Sequence, residues 1–217
     1  MPRIALIHAL THSVAPINEA MVREWPEATR MNLLDDSLSA DLAASGRGLD
    51  AAMNQRFQDL ADYAVGTGAE AILFTCSAFG PCIEAVARHY APMPVLKPNE
   101  AMVADAVKAG GRIGLIATFG PTLASMPPEF PGSVELECAL AEGALDALNR
   151  GDVETHDALI VEQARRLAAA GCTTIALAQF SMARARSACE QATGKRVLTT
   201  VDSAVTELKR RLSDRTV

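Results

Sequence analysis

The sequence predicts an α/β fold of two pseudo-symmetric lobes, each a mainly parallel sheet flanked by helices. Three observations lead there. Short apolar runs alternate with amphipathic stretches along the whole chain, the pattern of parallel strands joined by crossover helices. The second half repeats the first: RIALIHALTHS (3–13) matches RIGLIATFGPT (112–122), AEAILFTCSAFG (69–80) matches TTIALAQFSMA (173–183), and PVLKPNEAMV (94–103) matches RVLTTVDSAV (196–205). The spacing of the matches is also consistent, since Ile113 follows Ile4 by 109 residues, Gln179 follows Cys76 by 103 and Val197 follows Val95 by 102. The expected lobes are residues 1–98 and 99–202, with a C-terminal helix over 203–217 packing back on the first.

The elements follow in order. RIALIHAL is a strand, and PINEAMVREW is a helix with Pro16 in its first turn and Ile17, Ala20 and Met21 on one face. MNLL is a second strand, followed by acids that precede a helix. LDAAMNQRFQDLADYAVGTG carries Leu49, Met53, Phe57, Leu60 and Ala64 at helical spacing and stops at glycine. AILFTC is a buried strand, because Ile, Leu and Phe succeed one another without polar alternation. A helix from about Pro81 to His89, the strand PVLKP and the helix EAMVADAVKAGG complete the first half. The second half reads as the strand RIGLIATFG, a proline-rich turn, the strand SVELECA, helices near GALDALNRG and ETHDALIVEQARRLAAAG, the strands TTIALAQ and RVLTT, and a last helix VTELKRRL.

Composition narrows the function classes. The 217 residues are 49% hydrophobic, yet no apolar stretch reaches the roughly 18 residues of a membrane span. A net charge of −6 and only 4% aromatics argue against nucleic acid, which needs a basic footprint and stacking surfaces. The five cysteines, Cys76, Cys82, Cys138, Cys172 and Cys189, form no CxxC pair or metal-ligand spacing, so neither a disulfide framework nor a metal is expected. Cys76 and Cys82, six residues apart, also lack the geometry of a redox pair. MPRIALIHAL enters a strand pattern at once, without the apolar core and cleavage site of a signal peptide, which predicts a cytoplasmic protein.

Candidate chemistry gathers where strands empty into loops, because ligands bind at the carboxyl ends of strands in open α/β sheets. Cys76 stands at such an end; it is either a reacting thiol or a small apolar core residue. A reactive thiol titrates near 8.5 or below, so helix N-terminal amides or a cation are expected to lower its pKa. The N–H groups of Ser77, Ala78 and Phe79 are the amides on offer, and they would equally hold a carboxylate or an oxyanion. Ser77 is either a ligand donor or a helix N-cap. The repeat sets Gln179, which cannot ionise, against Cys76. Thr118 and Thr122 flank a glycine that lets backbone approach an anion. In HALTHS, His12 is a candidate acid or base, while His8 fits a hydrogen-bonded core residue; His89 and His156 belong to helix ends, and a zinc reading of His8 and His12 is poor. Asp35 and Asp36 fit helix caps, and Glu100 and Asp202 fit first-turn acids of matching helices. Phe79, Phe119, Phe180 and Met182 fit either an apolar pocket or packing.

IHALTHSVAPI, NLLDDSLSADL, TCSAFG, RIGLIATFGPT and IALAQFSMA, in that order, resemble the aspartate/glutamate/hydantoin racemase superfamily over nearly the whole length. The resemblance implies a small carboxylate substrate between two pseudo-symmetric lobes, no cofactor, a homo-oligomer, and one cysteine after a strand in each lobe, one taking the α-proton and the other supplying one. Cys76 matches the first. The second falls on or next to Gln179, and a nearby histidine of some members falls near Ser181. The resemblance further implies that Thr11, Ser13, Ser77, Ala78, Thr118, Gln179 and Ser181 contact substrate, and it favours Thr118 over Thr122. The activity implied is that of an isomerase or racemase working at the carbon α to a carboxylate through Cys76. A one-cysteine decarboxylase resembling arylmalonate decarboxylase and a non-catalytic carboxylate-binding protein are the alternatives.

Overall fold

The apolar runs become strands of two parallel sheets. In the first, β1 (Arg3–His8), β2 (Thr29–Leu34), β3 (Ala71–Phe74) and β4 (Val95–Leu96) lie in the order β2-β1-β3-β4. In the second, β5 (Ile113–Ala117), β6 (Leu136–Leu140), β7 (Thr174–Leu177) and β8 (Arg196–Thr199) lie in the order β6-β5-β7-β8. The orders are identical once the repeat is applied, and so is the register: Ile7 pairs with Phe74 as Ile116 pairs with Leu177. This computed structural model describes residues 1–46 and 48–214; residues 215–217 of the expected C-terminal helix lie outside the described residues. The chain divides into two units, Met1–Pro98 with the chain from Ala204 on, and Asn99–Ser203.

The central strands β1, β3, β5 and β7 are buried almost throughout, as continuous Ile, Leu, Ala and Phe runs require, whereas the edge strands β2 and β6 are mostly part-exposed. Helices α1 (Val14–Glu24), α2 (Ser37–Ser45), α3 (Ala51–Gly66) and α4 (Gly80–Tyr90) belong to the first unit. One face of its sheet packs Ala5, Ile7, Ile72 and Phe74 against Met53, Phe57 and Ala61 of α3 and Cys82, Ile83 and Val86 of α4. Phe57 anchors that layer, its ring 5.2 Å from Phe74 and 4.9 Å from Phe79. The second unit holds α5 (Glu100–Ala109), α6 (Gly120–Ser125), α7 (Ala144–Asn149), α8 (Val153–Ala169) and α9 (Arg186–Thr193); α10 (Thr200–Asp214) begins in it and continues into the first. Ile160, Ala164 and Leu167 of α8 pack on Ile116, Ile175 and Leu177, and Met102 and Ala106 of α5 pack with Ile113, Leu115 and Ala176.

Local sequence explains several boundaries. The Asp50 and Asp152 side chains accept the N–H groups of Met53 (2.9 Å) and Thr155 (3.0 Å), capping α3 and α8. Pro81 and Pro121 sit in the first turns of α4 and α6, where a missing N–H costs nothing. Gly114 is a close approach: a Cβ there would lie 2.9 Å from Leu167 Cδ1 and 3.0 Å from Leu167 Cβ, so glycine lets α8 settle against β5. Two elements go beyond the sequence expectations. GPTLAS, read as a proline-rich turn, forms α6, and SACEQAT forms most of α9, which buries only Cys189. Among the described residues, no helix is long and apolar enough to cross a membrane.

Candidate active site

Cys76 lies two residues beyond β3 in extended conformation (φ −125°, ψ 120°) and opens a 3₁₀ turn, Ser77–Phe79, that leads into α4. The Ala78 backbone N–H and the Ser39 hydroxyl lie near enough to its sulfur to favour the thiolate. The residue is half-buried, beside a constricted hollow lined by Ile7, His8, Ala9, Leu38, Phe57 and Phe74 that no water-sized sphere enters. The sequence led to the expectation of a lowered thiol pKa. The structure reverses it: burial pushes the Cys76 thiol up, and the two donors offset only part of that rise. The resting residue is therefore a neutral thiol at pH 7.

Gln179 occupies the corresponding place in the second unit. It lies two residues beyond β7, is extended (φ −132°, ψ 148°), and opens the 3₁₀ turn Phe180–Ala185. Its Oε1 accepts both the backbone N–H of Thr118 (2.6 Å) and the Thr118 hydroxyl (2.9 Å). A backbone N–H only donates, so this contact settles which end of the amide is oxygen. The Gln179 amide is held by its carbonyl and keeps the NH2 end for other acceptors.

A polar chain crosses the first sheet beside Cys76. Its geometry assigns every proton. Asn18 Nδ2 donates to the Val14 carbonyl (2.8 Å) and to Asn32 Oδ1 (2.8 Å), and Asn32 Nδ2 returns a bond to Asn18 Oδ1 (3.1 Å). With Asn32 Oδ1 an acceptor, the His8 nitrogen facing it at 3.0 Å, Nε2, carries the proton. His8 Nδ1 then accepts from the Thr75 hydroxyl at 2.9 Å. His8 is fully buried, and burial lowers its pKa, with the Asn32 bond opposing. The equivalent residues of the second sheet are Ala117 and Ala178, so the network belongs to one lobe only.

The other anticipated residues divide as follows. Thr11 and His12 are exposed in the 3₁₀ turn Thr11–Ser13, while Ser13 is buried at the start of α1 without a side-chain capping bond. Ser77 and Ser181 are half-buried in their respective 3₁₀ turns, and Ala78 is exposed. Thr118 and Thr122 are both buried. Asp35 binds the backbone N–H and hydroxyl of Ser37 at the start of α2 (3.2 and 2.6 Å) and also pairs with Arg56 at 2.6 Å; Asp36 makes no capping bond. Glu100 and Asp202 fall in the first turns of α5 and α10. Phe79, Phe180 and Met182 are core residues, and Phe119 is exposed. Ser39 was missed in the sequence, where a serine inside DSLSADL looks like a solvated helix residue.

Comparison with known proteins places the chain in a family. The family model described as Asp/Glu/Hydantoin racemase matches residues 9–208. The chain belongs to the Asp/Glu/hydantoin racemase family. Solved structures of such racemases share its two-lobe fold. A glutamate racemase from Bacillus anthracis superimposes with a TM-score of 0.73 at 13% identity, covering 99% of this chain and 82% of that one. An allantoin racemase from Klebsiella pneumoniae gives 0.70 at 18% identity, covering 98% and 88%. An aspartate racemase from Picrophilus torridus gives 0.72 at 10% identity, covering 93% and 90%. No curated protein sequence matches the chain significantly.

Proposed function

We propose that this family member is a cofactor-independent, racemase-like isomerase that moves a proton at the carbon α to the carboxylate of a small acid, with Cys76 as its single reacting thiol. The observation that carries this reading is the pair of equivalent strand ends, one furnished with a sulfur and the other with an amide that cannot ionise. In the forward step the Cys76 thiolate takes the α-proton, the C–H electron pair passes into a planar enediolate, the enediolate turns its other face to the sulfur, and the S–H returns a proton to that face. The Ala78 amide favours the anionic sulfur. The Gln179 NH2 end is an anion donor, not a second acid. The neighbours are named for glutamate, aspartate and allantoin, so the fold leaves the substrate open.

The raised thiol pKa favours a second reading, a decarboxylase-like lyase. There a C–C bond breaks, carbon dioxide leaves, its bonding pair stays behind as an enediolate, and the neutral Cys76 S–H protonates one face before solvent restores the thiol. This reading needs no thiolate at the outset, in keeping with the burial of the sulfur.

Cys76→Ala and Cys76→Ser, assayed with amino acids, substituted malonates and maleate in deuterium oxide, test both. A loss of about 10²–10⁴-fold in turnover is expected for removal of the proton-transfer group. Deuterium in recovered substrate marks isomerisation, whereas label confined to product marks decarboxylation. Turnover undiminished in both variants overturns the thiol mechanism, and ligand binding without turnover in the unmodified protein leaves a carboxylate-binding role instead.

A further inference from the structure

Helix α2 contributes the groups that close the Cys76 thiol on its outer side. Leu38, 1% exposed, lines the same hollow as Cys76, and Ser39 is the next residue along the helix. The Ser39 hydroxyl donates to the Ala9 carbonyl at 3.4 Å, a long and therefore weak bond, and Ala9 also lines that hollow. The same hydroxyl is within hydrogen-bonding reach of the Cys76 sulfur. One hydroxyl proton thus faces two acceptors.

Helix α2 is also pinned. Arg56 of α3 reaches Asp35 and Asp41 at 2.6 Å each and the Ser37 hydroxyl at 2.6 Å, so three groups on or just before α2 are tied to one guanidinium. Burial pushes Asp35 up, yet the bonds from Ser37 and Arg56 outweigh it and hold the carboxyl below its ordinary value, so the clamp stays charged through the neutral range. A clamped helix keeps Ser39 beside the sulfur without an entropy cost at the moment the thiol ionises.

We propose that Ser39 is the positioning residue of the Cys76 thiol: its hydroxyl proton rests on the Ala9 carbonyl while the sulfur is neutral and swings to the sulfur when the thiolate forms. This deepens the reading of Cys76 as the reacting group and rests on it for its catalytic meaning. The rearrangement breaks one weak hydrogen bond to a neutral carbonyl and strengthens another to an anion, which is the stronger kind. It gives a buried thiol a way to ionise without a cation next to it. The titratable and charged groups on the elements around Cys76 are Arg3 and His8 on β1, Asp35 and Asp41 before and on α2, Asp50, Arg56, Asp59, Asp62 and Tyr63 at and on α3, and Cys82, Glu84, Arg88, His89 and Tyr90 on α4. None of them is altered by a change at Ser39.

The test reads the sulfur directly. The full-length protein and its Ser39→Ala and Ser39→Thr variants are alkylated with iodoacetamide from pH 6 to about pH 11.5, and modification of each cysteine is followed by peptide mass spectrometry. Exposed Cys138, in the other unit, is the internal control. In Ser39→Ala the Cys76 midpoint is expected to rise by about one pH unit, with alkylation near neutrality slowed about tenfold, while Ser39→Thr keeps the original midpoint and Cys138 is unchanged in all three. An unchanged Cys76 midpoint in Ser39→Ala, or an equal shift in Ser39→Thr, overturns the proposal, as does a matching shift at Cys138. No turnover is measured, so failure of the enzymatic reading and failure of the Ser39 role are seen separately.

Discussion

At the scale of single residues, the first lobe invests in polar groups that the second replaces with alanine. His8 is the clearest case, a buried imidazole with both nitrogens bonded and its pKa lowered by burial. The unfolded chain exposes an imidazole that titrates near 6.5. Above about pH 6.5 both states are neutral and the residue adds no pH dependence. As the pH falls below that value the unfolded state binds a proton that the folded state resists, and stability declines with a slope of at most about 1.4 kcal/mol per pH unit. Thermal melts at pH 7.5 and 5.5 should therefore differ more for the unmodified protein than for His8→Gln, which keeps a donor and an acceptor but cannot ionise. Equal differences would remove His8 from the acid response. Cys76 was legible because an apolar run ends on it. Its raised pKa was not, because the desolvation comes from Leu38, Phe57 and Ala9, which lie far from it in sequence.

At the scale of elements, periodicity identified the long helices and the central strands because these bury an unbroken face. It was weakest where burial is slight. α9 covers the core with Cys189 alone, and α6 begins Gly-Pro, a pair that reads as a turn although proline is harmless in a first helical turn. The interlocked Asn18–Asn32 pair was invisible for a similar reason: one residue is on α1 and the other on the edge strand β2, and nothing in their spacing links them. Packing of α8 on β5 makes a sharp prediction. Gly114→Ala puts a methyl group against Leu167, where the first sheet tolerates Ala5 at the equivalent position. Overpacking of this kind costs about 1–3 kcal/mol. Denaturant unfolding should show the midpoint lowered with an unchanged slope; an unaltered midpoint would mean that α8 moves away freely.

At the scale of the whole molecule, the repeat visible in the sequence is carried into strand order, register and the extended conformation of the second residue beyond β3 and β7. The two-lobe α/β class was therefore readable from spacing alone, while the proposed difference in proton chemistry between the lobes rests on the pair Cys76 and Gln179. Gln179→Cys restores a thiol at the second. The substitution gives up the acceptor for the Thr118 N–H, so a modest loss of stability accompanies it. If the proposed chemistry is right, deuterium labelling of the inverted product should rise relative to exchange into recovered substrate, because a second thiol can then donate a proton of its own. A double variant that behaves like the unmodified protein with Cys76→Ala alone added would show that position 179 plays no part in proton transfer.

The His8–Asn32–Asn18 chain ends on a main-chain oxygen of the first turn of α1. That oxygen can only receive a proton, so it dictates the orientation of two amides and, through them, which nitrogen of a ring in the middle of a sheet is bare. Replacing half-buried Asn18 by aspartate would erase this instruction at its source. The nitrogen resonances of an imidazole several groups away would register the loss of a fixed tautomer, although no atom near the ring had been exchanged.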